Sequence, residues 1–470
     1  MRAYATESVS ARPFRRFRDR REAGRLLAEE IVNAQVLGPE RRDMVVVGLA
    51  RGGVEVADEV AAALHAPLDA LAVRKVGHPW QPEYGIGAVA VGGIRYIRSH
   101  DGLTEAQVEE ATRRAVDAAD ALDARLHRRC APLRIAGTDC VLVDDGLATG
   151  GTMVAAVRWA RARGAGRVIV AVPAGAAETV LSLERDPDVD ALLCLVMPPA
   201  FGAVGFWYDD FQQVSDEDVR GMLEAAFDRQ LTRCEEEIPI GETPLPADLA
   251  VPAQPLGWVV FAHGSGSSRL SPRNLQVAAA LNQAQIATLL FDLLTREEEL
   301  DRRNVFDIEL LGRRLVAATR WLRSRAEARG LPIGYFGAST GAAAALVAAA
   351  ELPDEVSAVV SRGGRPDLAG ERLGDIRAPT LLIVGSADSF VLEVNQDAAT
   401  RLTCRNELAV VPGATHLFEE PGALEQVASL AAAWFTRVFG ARVHTITRER
   451  EETDVQQEAD FAGAERAGAT

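Results

Sequence analysis

The chain has 470 residues, 48% of them hydrophobic and 25% charged, with a formal net charge of −16. That size and apolar share suit two or three globular domains, while the acidic balance argues against a nucleic-acid partner, so an anionic substrate must be met by local positive charge. No run reaches about 18 apolar residues, so no membrane span is expected, and five scattered cysteines without a C-x-x-C pair read as reduced thiols of a cytoplasmic protein.

No apolar segment follows the Arg-rich N-terminus, so a secretory signal is not expected. Phe17 to Gly24 reads as the opening of a helix that runs to Val36, with Ala23, Leu26, Leu27 and Ile31 at helical spacing. Met44–Gly48 is a buried strand. It breaks into Leu49-Ala50-Arg51-Gly52-Gly53, and a helix follows from Val54 to Leu64. Strand, glycine turn and helix can cradle an anion on backbone amides, with Arg51 beside it; a plain Gly-rich turn would use the same residues. Pro67–Val73 is a further strand. Arg74 and Lys75 at its end suit phosphate neutralisation, or a surface salt bridge. Gly77–Gly93 is rich in Gly and reads as a loop with a hairpin, and Thr104–Arg129 as a long helix.

Val141-Leu142-Val143-Asp144-Asp145-Gly146-Leu147-Ala148-Thr149-Gly150-Gly151-Thr152-Met153 comes next. A β-branched run ends in two carboxylates, then a loop of small and hydroxyl residues, then a helical pattern. Amides and the hydroxyls of Thr149 and Thr152 would face a phosphate at a helix N-terminus, and Gly146, Gly150 and Gly151 allow close approach. Asp144 and Asp145 suit the 2′ and 3′ hydroxyls of a ribose, whose protons a carboxylate accepts. The stretch resembles the phosphoribosyl-pyrophosphate (PRPP) signature of type I phosphoribosyltransferases along its whole length. The resemblance implies that the acids hold the ribose, that Gly146 to Thr152 hold the 5-phosphate, that Arg51 and Gly52 with Lys75 meet the diphosphate, and that the Gly77–Gly93 hairpin covers the site. It also implies Mg²⁺ carried with PRPP, bridging diphosphate and sugar hydroxyls, with no protein metal ligand beyond Asp144 and Asp145 acting through ribose or water.

Strands at Arg167–Val172 and Ala191–Val196 alternate with a helix at Glu178–Leu183, which predicts a parallel, doubly wound sheet. Ala203 to Phe211 clusters aromatics irregularly. It is similar to the hood over the base in purine phosphoribosyltransferases, which implies Phe206 or Trp207 as a stacking residue and Asp209 as an acid that orients the ring or a metal; a local aromatic core is the other reading. Val172-Pro173-Ala174-Gly175 carries no lysine, where the purine enzymes usually have one to read a 6-oxo group, so the acceptor stays open.

The boundary is expected near residue 233, where Glu235–Pro252 reads as a two-stranded antiparallel start. Gly257–Ala262 is a strand ending in His263-Gly264-Ser265-Gly266-Ser267. A helix (Asn274–Gln283), a strand (Ile286–Phe291) and a long helix follow, the last with Phe306, Leu310, Leu311, Leu315 and Leu322 on one face. Ile333–Phe336 then runs into Gly337-Ala338-Ser339-Thr340-Gly341 and an Ala-rich helix, a G-x-S-x-G elbow in its strand–turn–helix setting. Serine alone is a poor nucleophile and needs a base and an orienting acid. Asp388 past the strand Leu381–Val384 and His416 after Val410–Val411 supply them in order, giving Ser339 as nucleophile, His416 as base and Asp388 as its support. The oxyanion donors would be the N–H groups of Thr340 and Ser265. Arg362 or Arg365 could meet a substrate carboxylate, or pair with Asp367. Residues 235–439 resemble the dienelactone hydrolase family of α/β-hydrolases; its best-known members carry cysteine at the elbow, so Ser339 points to a serine esterase.

The fold class expected is therefore α/β in two domains: a phosphoribosyltransferase-type parallel doubly wound sheet over 1–232 and an α/β-hydrolase sheet over 233–440, with 441–470 as a disordered charged tail. The function expected is PRPP-dependent phosphoribosyl transfer to an unknown acceptor, plus hydrolysis of an unknown ester or lactone. The rival is a first domain that only senses PRPP or a nucleotide and regulates the hydrolase. A homo-oligomer is compatible with either.

Overall fold

The computed structural model describes residues 16–37, 43–100, 102–240 and 243–441. The expected tail lies outside them, apart from its first residue. The chain divides into two compact units, Met1–Gln230 and Leu231–Thr470. Among the described residues no helix is long and apolar enough to cross a membrane.

The first unit is built on strands β1 (Met44–Leu49), β2 (Leu68–Leu71), β3 (Val73–His78), β4 (Gln81–Ala90), β5 (Ile94–Ile97), β6 (Asp139–Val143), β7 (Arg167–Ala174) and β8 (Ala191–Val196). Five form a parallel sheet in the order β2-β1-β6-β7-β8. Each central strand is apolar on both faces because helices cover both. Val46, Val141 and Val143 join one layer of the core, and Val45, Val47, Cys140 and Leu142 join the other. The helix Arg20–Asn33 starts where the Asp19 carboxylate accepts the Glu22 N–H (2.7 Å), and Glu105–Leu126 starts in a Thr104/Gln107 capping box. Arg74 and Lys75, expected at the end of the strand Pro67–Val73, lie instead in strand β3, which pairs antiparallel with β4, and β4 with β5, so the stretch expected as a loop with a hairpin belongs to a three-stranded sheet.

The second unit has strands β9 (Thr232–Ile240), β10 (Thr243–Val251), β11 (Trp258–Ala262), β12 (Ala287–Phe291), β13 (Ile333–Ala338), β14 (Val356–Arg362), β15 (Thr380–Gly385) and β16 (Asn406–Val411). They make one sheet in the order β16-β15-β14-β13-β11-β12-β10-β9, antiparallel at β10 and β9 and parallel elsewhere. Trp258 and Val260 face one layer, Val259 and Phe261 the other. Thr340 to Ala350 is buried on every side of its helix, which small alanines permit. Phe306 corrects the sequence reading: it lies before the helix Ile308–Ser324 and is 50% exposed, while Ile308 takes the buried place.

Candidate active sites

In a doubly wound sheet the place for a ligand is the crevice where strand order reverses. In the first unit that is between β1 and β6. The turns leaving these two strands come into contact there. A Cβ on Gly52 would lie 2.1 Å from Asp145 Oδ2, and one on Gly53 would lie 3.0 Å from Asp144 Oδ1. The pair of acids is half-buried. Asp144 Oδ1 accepts the Asp145 N–H at 2.9 Å, and Asp145 Oδ2 accepts Arg20 Nε at 2.9 Å. Burial first, and then the charge of Asp145, push Asp144 well above the usual carboxylate range; burial pushes Asp145 up as well, against the pull of Arg20.

Arg20 has no motif to announce it. It is 6% exposed, its Nη1 donates to Gln212 O (2.7 Å), and its guanidinium lies 3.8 Å over the Phe211 ring. It joins the N-terminal helix, the aromatic segment and Asp145. Tyr208 was equally invisible: its hydroxyl donates to Asp145 O at 2.6 Å, and the residue is buried.

A cavity of about 200 Å³ lies at the far end of the loop, lined by Thr149, Gly151 and Thr152 and by Lys75, Tyr84, Tyr96 and Arg98 of the three-stranded sheet. Arg98 and Tyr96 escaped the sequence because they reach the loop only through β5 pairing with β4. A larger cavity of about 720 Å³ is lined by six acids, among them Asp19, Glu55 and Asp58, and by Arg20, Arg21 and Arg229, so its charge is mixed with an acidic excess.

Not every residue of the expected set is placed alike. Leu147 is buried in the core and its N–H donates to Ala174 O (2.8 Å), so that amide is not open to a phosphate. The Ala148 carbonyl accepts Thr179 Oγ1 (2.6 Å), Gly146 sits against Val204, and Gly150 takes φ 74° to start the helix Gly151–Ala162. Arg51 turns from its loop to Asp216 (2.9 Å) and Val214 O, instead of standing free for a diphosphate. Of the aromatic candidates, Phe206 is 67% exposed. Trp207 stacks on Phe201 and gives its Nε1–H to Phe201 O (2.9 Å), so its ring is held by the protein itself. Asp209 is exposed and pairs with Arg16 at 3.4 Å.

In the second unit the reversal falls between β11 and β13. Ser339 sits there at φ 52°, a left-handed backbone that a tight elbow imposes. The tightness is measurable: a Cβ on Gly341 would meet Ala262 O at 2.2 Å, and one on Gly337 would meet Ala342 Cα at 2.4 Å. His416 Nε2 stands 3.3 Å from Ser339 Oγ, and His416 Nδ1 is 2.7 Å from Asp388 Oδ2. Asp388 opens the helix Ser389–Arg401 without capping it, because its carboxylate turns to the imidazole. The histidine loop is brought in by Gly385, where a Cβ would lie 2.2 Å from Ala414 O, and is held by Thr415 on Glu420.

Thr340 is the first residue of the helix after the elbow, and the Ser265 N–H, expected as the other oxyanion donor, donates to Thr340 Oγ1 at 2.9 Å. The second donor is thus already engaged. His263 is structural: Nε2 accepts the Leu293 N–H (3.0 Å) and Nδ1 faces Gly264 O (3.1 Å), a neutral tautomer that burial favours by lowering its pKa. Arg365 pairs with Asp367 through two short bonds, whereas Arg362 does not.

Comparison with known proteins gives two family matches, a phosphoribosyl transferase domain at residues 20–193 and the dienelactone hydrolase family at residues 271–440. A protein of Mycobacterium tuberculosis (strain H37Rv), whose name places it provisionally among phosphoribosyl transferases, is 49% identical over 439 residues, 89% of this chain and 97% of its own length. Its counterpart in strain CDC 1551 matches equally. Among solved structures, a dienelactone hydrolase from Anabaena variabilis ATCC 29413 is 54% identical, covering 44% of this chain and 99% of its own, with a TM-score of 0.44. A protein of Thermus thermophilus is 42% identical, covering 44% and 97%, with a TM-score of 0.39.

Proposed function

Because the chain belongs to the phosphoribosyl transferase family and joins that domain to one of the dienelactone hydrolase family, we propose that the first unit transfers a phosphoribosyl group from PRPP and that the second hydrolyses an ester or lactone through a serine triad. What supports both halves is one pattern: in each sheet, groups from separate crossovers meet where the strand order reverses.

In the first unit Asp144 and Asp145 accept the ribose hydroxyls, and Thr149, Thr152, Lys75 and Arg98 neutralise the 5-phosphate in the small cavity. Displacement at C1 passes through an oxocarbenium-like state, for which the protein supplies positioning and charge. No group of three or more His, Cys, Asp or Glu side chains among the described residues could hold a metal. Two neighbouring carboxylates suit Mg²⁺ that arrives on the diphosphate and keeps most of its ligands from substrate and water. Bound Mg²⁺ would neutralise the leaving diphosphate; Asp144 and Asp145 are the residues that would face it.

In the second unit Ser339 Oγ attacks the carbonyl while His416 Nε2 takes its proton and later returns it to the leaving oxygen. Asp388 holds the imidazole tautomer, and the Thr340 N–H meets the oxyanion.

A sensing role for the first unit is the second reading. Arg51 held by Asp216, and the absence of a cation in Val172–Gly175, favour binding without transfer. Pyrophosphate release from PRPP and Mg²⁺ against a panel of bases separates the two: turnover supports transfer, while saturable PRPP binding with no release supports sensing. A fluorophosphonate probe tests the other half. Labelling lost in Ser339→Ala supports the hydrolase; no labelling of the wild-type chain refutes it.

A further inference from the structure

The short segment that follows β14 touches both the nucleophile and the base. Arg362 O accepts the Ser339 N–H at 3.2 Å, and the Arg365 N–H donates to Ser339 O at 3.2 Å. The nucleophile is thereby held at both of its backbone polar groups. Between these bonds Gly363 takes φ 51° and gives its N–H to Ile383 O (2.8 Å) on β15, the strand that leads to Asp388. A Cβ on Gly363 would lie 3.2 Å from His416 O and 3.5 Å from His416 Nδ1. One on Gly364 would meet Ser361 Oγ at 2.0 Å and Ala342 Cβ at 2.7 Å. Glycine is the residue that fits such spaces, and a segment packed this closely cannot shift without carrying Ser339 or His416 with it.

Asn395 ties this segment to the acid. It is 0% exposed and lies about two turns beyond Asp388 along the helix Ser389–Arg401, so the two residues share a face. Its Nδ2 donates to Gly364 O at 2.9 Å and to Val391 O at 2.7 Å. Its Oδ1, by contrast, is buried without a hydrogen-bond partner among the described residues. A buried acceptor left unmet costs stability that an apolar side chain of the same size would not. The amide is thus a poor choice for packing and a good one for holding Gly364. The helix that presents Asp388 meets the catalytic layer at two points: Asp388 on His416 Nδ1 (2.7 Å), and Asn395 on Gly364.

We propose that Asn395 is a positioning residue of the second unit: by clamping Gly364 it holds acid, nucleophile and base in register. The proposal rests on the serine-hydrolase reading above. His416 Nε2 stands 3.3 Å from Ser339 Oγ, at the outer edge of hydrogen-bond reach, so a further small displacement falls on the chemical step and not on binding. Asn395→Leu keeps the volume and removes the donor. It should lower kcat of the full chain on p-nitrophenyl acetate by about ten- to a hundredfold, with KM within about twofold of wild type. Thr319→Val is the control. It deletes an equally buried hydrogen bond, between Thr319 Oγ1 and Tyr335 Oη (2.6 Å), which joins the helix Ile308–Ser324 to β13, and it should change kcat less than about twofold. A kcat for Asn395→Leu within about threefold of wild type, or a loss that Thr319→Val matches, overturns the proposal. Should Asn395→Leu fail to fold, Asn395→Ser, too short to reach Gly364, takes its place under the same criterion.

Amide hydrogen exchange of the full chain needs no turnover and keeps the two ideas apart. The Gly363 and Arg365 N–H groups, which donate to Ile383 O and Ser339 O, should exchange at least about tenfold faster in Asn395→Leu, with the protection of β13 unchanged. Faster exchange in a protein whose wild type neither hydrolyses the acetate nor takes a fluorophosphonate keeps the clamp, and only the hydrolase reading falls. Unchanged exchange overturns the clamp and, where the acetate is hydrolysed, leaves the hydrolase.

Discussion

Gly52→Ala tests whether the two loops of the first unit act as one site. The new Cβ would lie 2.1 Å from Asp145 Oδ2 and 3.0 Å from Arg20 Nε, where ordinary contact begins at 3.4 Å. The carboxylate must recede by about 1 Å, which stretches the 2.9 Å Arg20–Asp145 bond beyond hydrogen-bonding reach. A charge-assisted bond of this kind is worth roughly 1.5–3 kcal/mol. Better helix propensity returns at most about 1 kcal/mol, so a net loss of roughly 1–2 kcal/mol in stability is expected. Displacing the acid should also cost PRPP affinity by about ten- to a hundredfold, the equivalent of one or two hydrogen bonds to the ribose. Isothermal titration of the full chain with PRPP and Mg²⁺ reads the second number. Gly221→Ala is the control, since a Cβ there meets nothing within 4 Å. An affinity within about twofold of wild type in a folded Gly52→Ala protein would refute the reasoning.

Asp388→Asn should lower esterase kcat by about ten-thousand-fold with little change in melting temperature, because the amide holds the wrong imidazole tautomer; a loss below about tenfold would remove Asp388 from its role. Thr340→Val frees the Ser265 N–H from the hydroxyl that now accepts it. A donor unmet by protein in the free enzyme and met in the transition state should raise kcat several-fold, and a stopped assay showing a fall would mean that the hydroxyl is needed to place the loop. His127 is buried against Asp123 and Asp69. Burial opposes its charge, but the hydrogen bonds to these acids prevail and raise it to about 10. Its pairing should stabilise the first unit fully below about pH 6.5 and be lost as pH rises through 10. Urea unfolding of the full chain across that window should show a decline on the order of 3 kcal/mol that His127→Gln lacks; parallel curves would contradict it.

The legible parts of this protein are those where chemistry and backbone are written in consecutive residues. Val141 to Met153 and Gly337 to Gly341 each carry strand, turn, reactive group and helix start within one short stretch. Tight turns restrict side chains so strongly that glycine spacing alone betrays them. The reading went astray where a neighbour decided the outcome. Arg74 to His78 became a strand because β4 paired with it. Phe306 lost its buried place because the helix begins at Ile308, after the Asp307 cap. Arg51 lies beside the right turn, but its partner Asp216 is remote in sequence.

Sequence by itself determined the two crossover folds, the strand ends at which their reactive groups emerge, and the order Ser339, Asp388, His416. Alternation, glycine turns and helix starts are local quantities that a single segment expresses alone. Only the tertiary structure decided which side chains support those groups. Arg20 and Tyr208 close on Asp145, Arg98 shares a cavity with Thr149 and Thr152, and the Arg362 carbonyl accepts the Ser339 N–H. Such partners are chosen by strand order and burial, which bring distant residues together and leave no spacing along the chain to read.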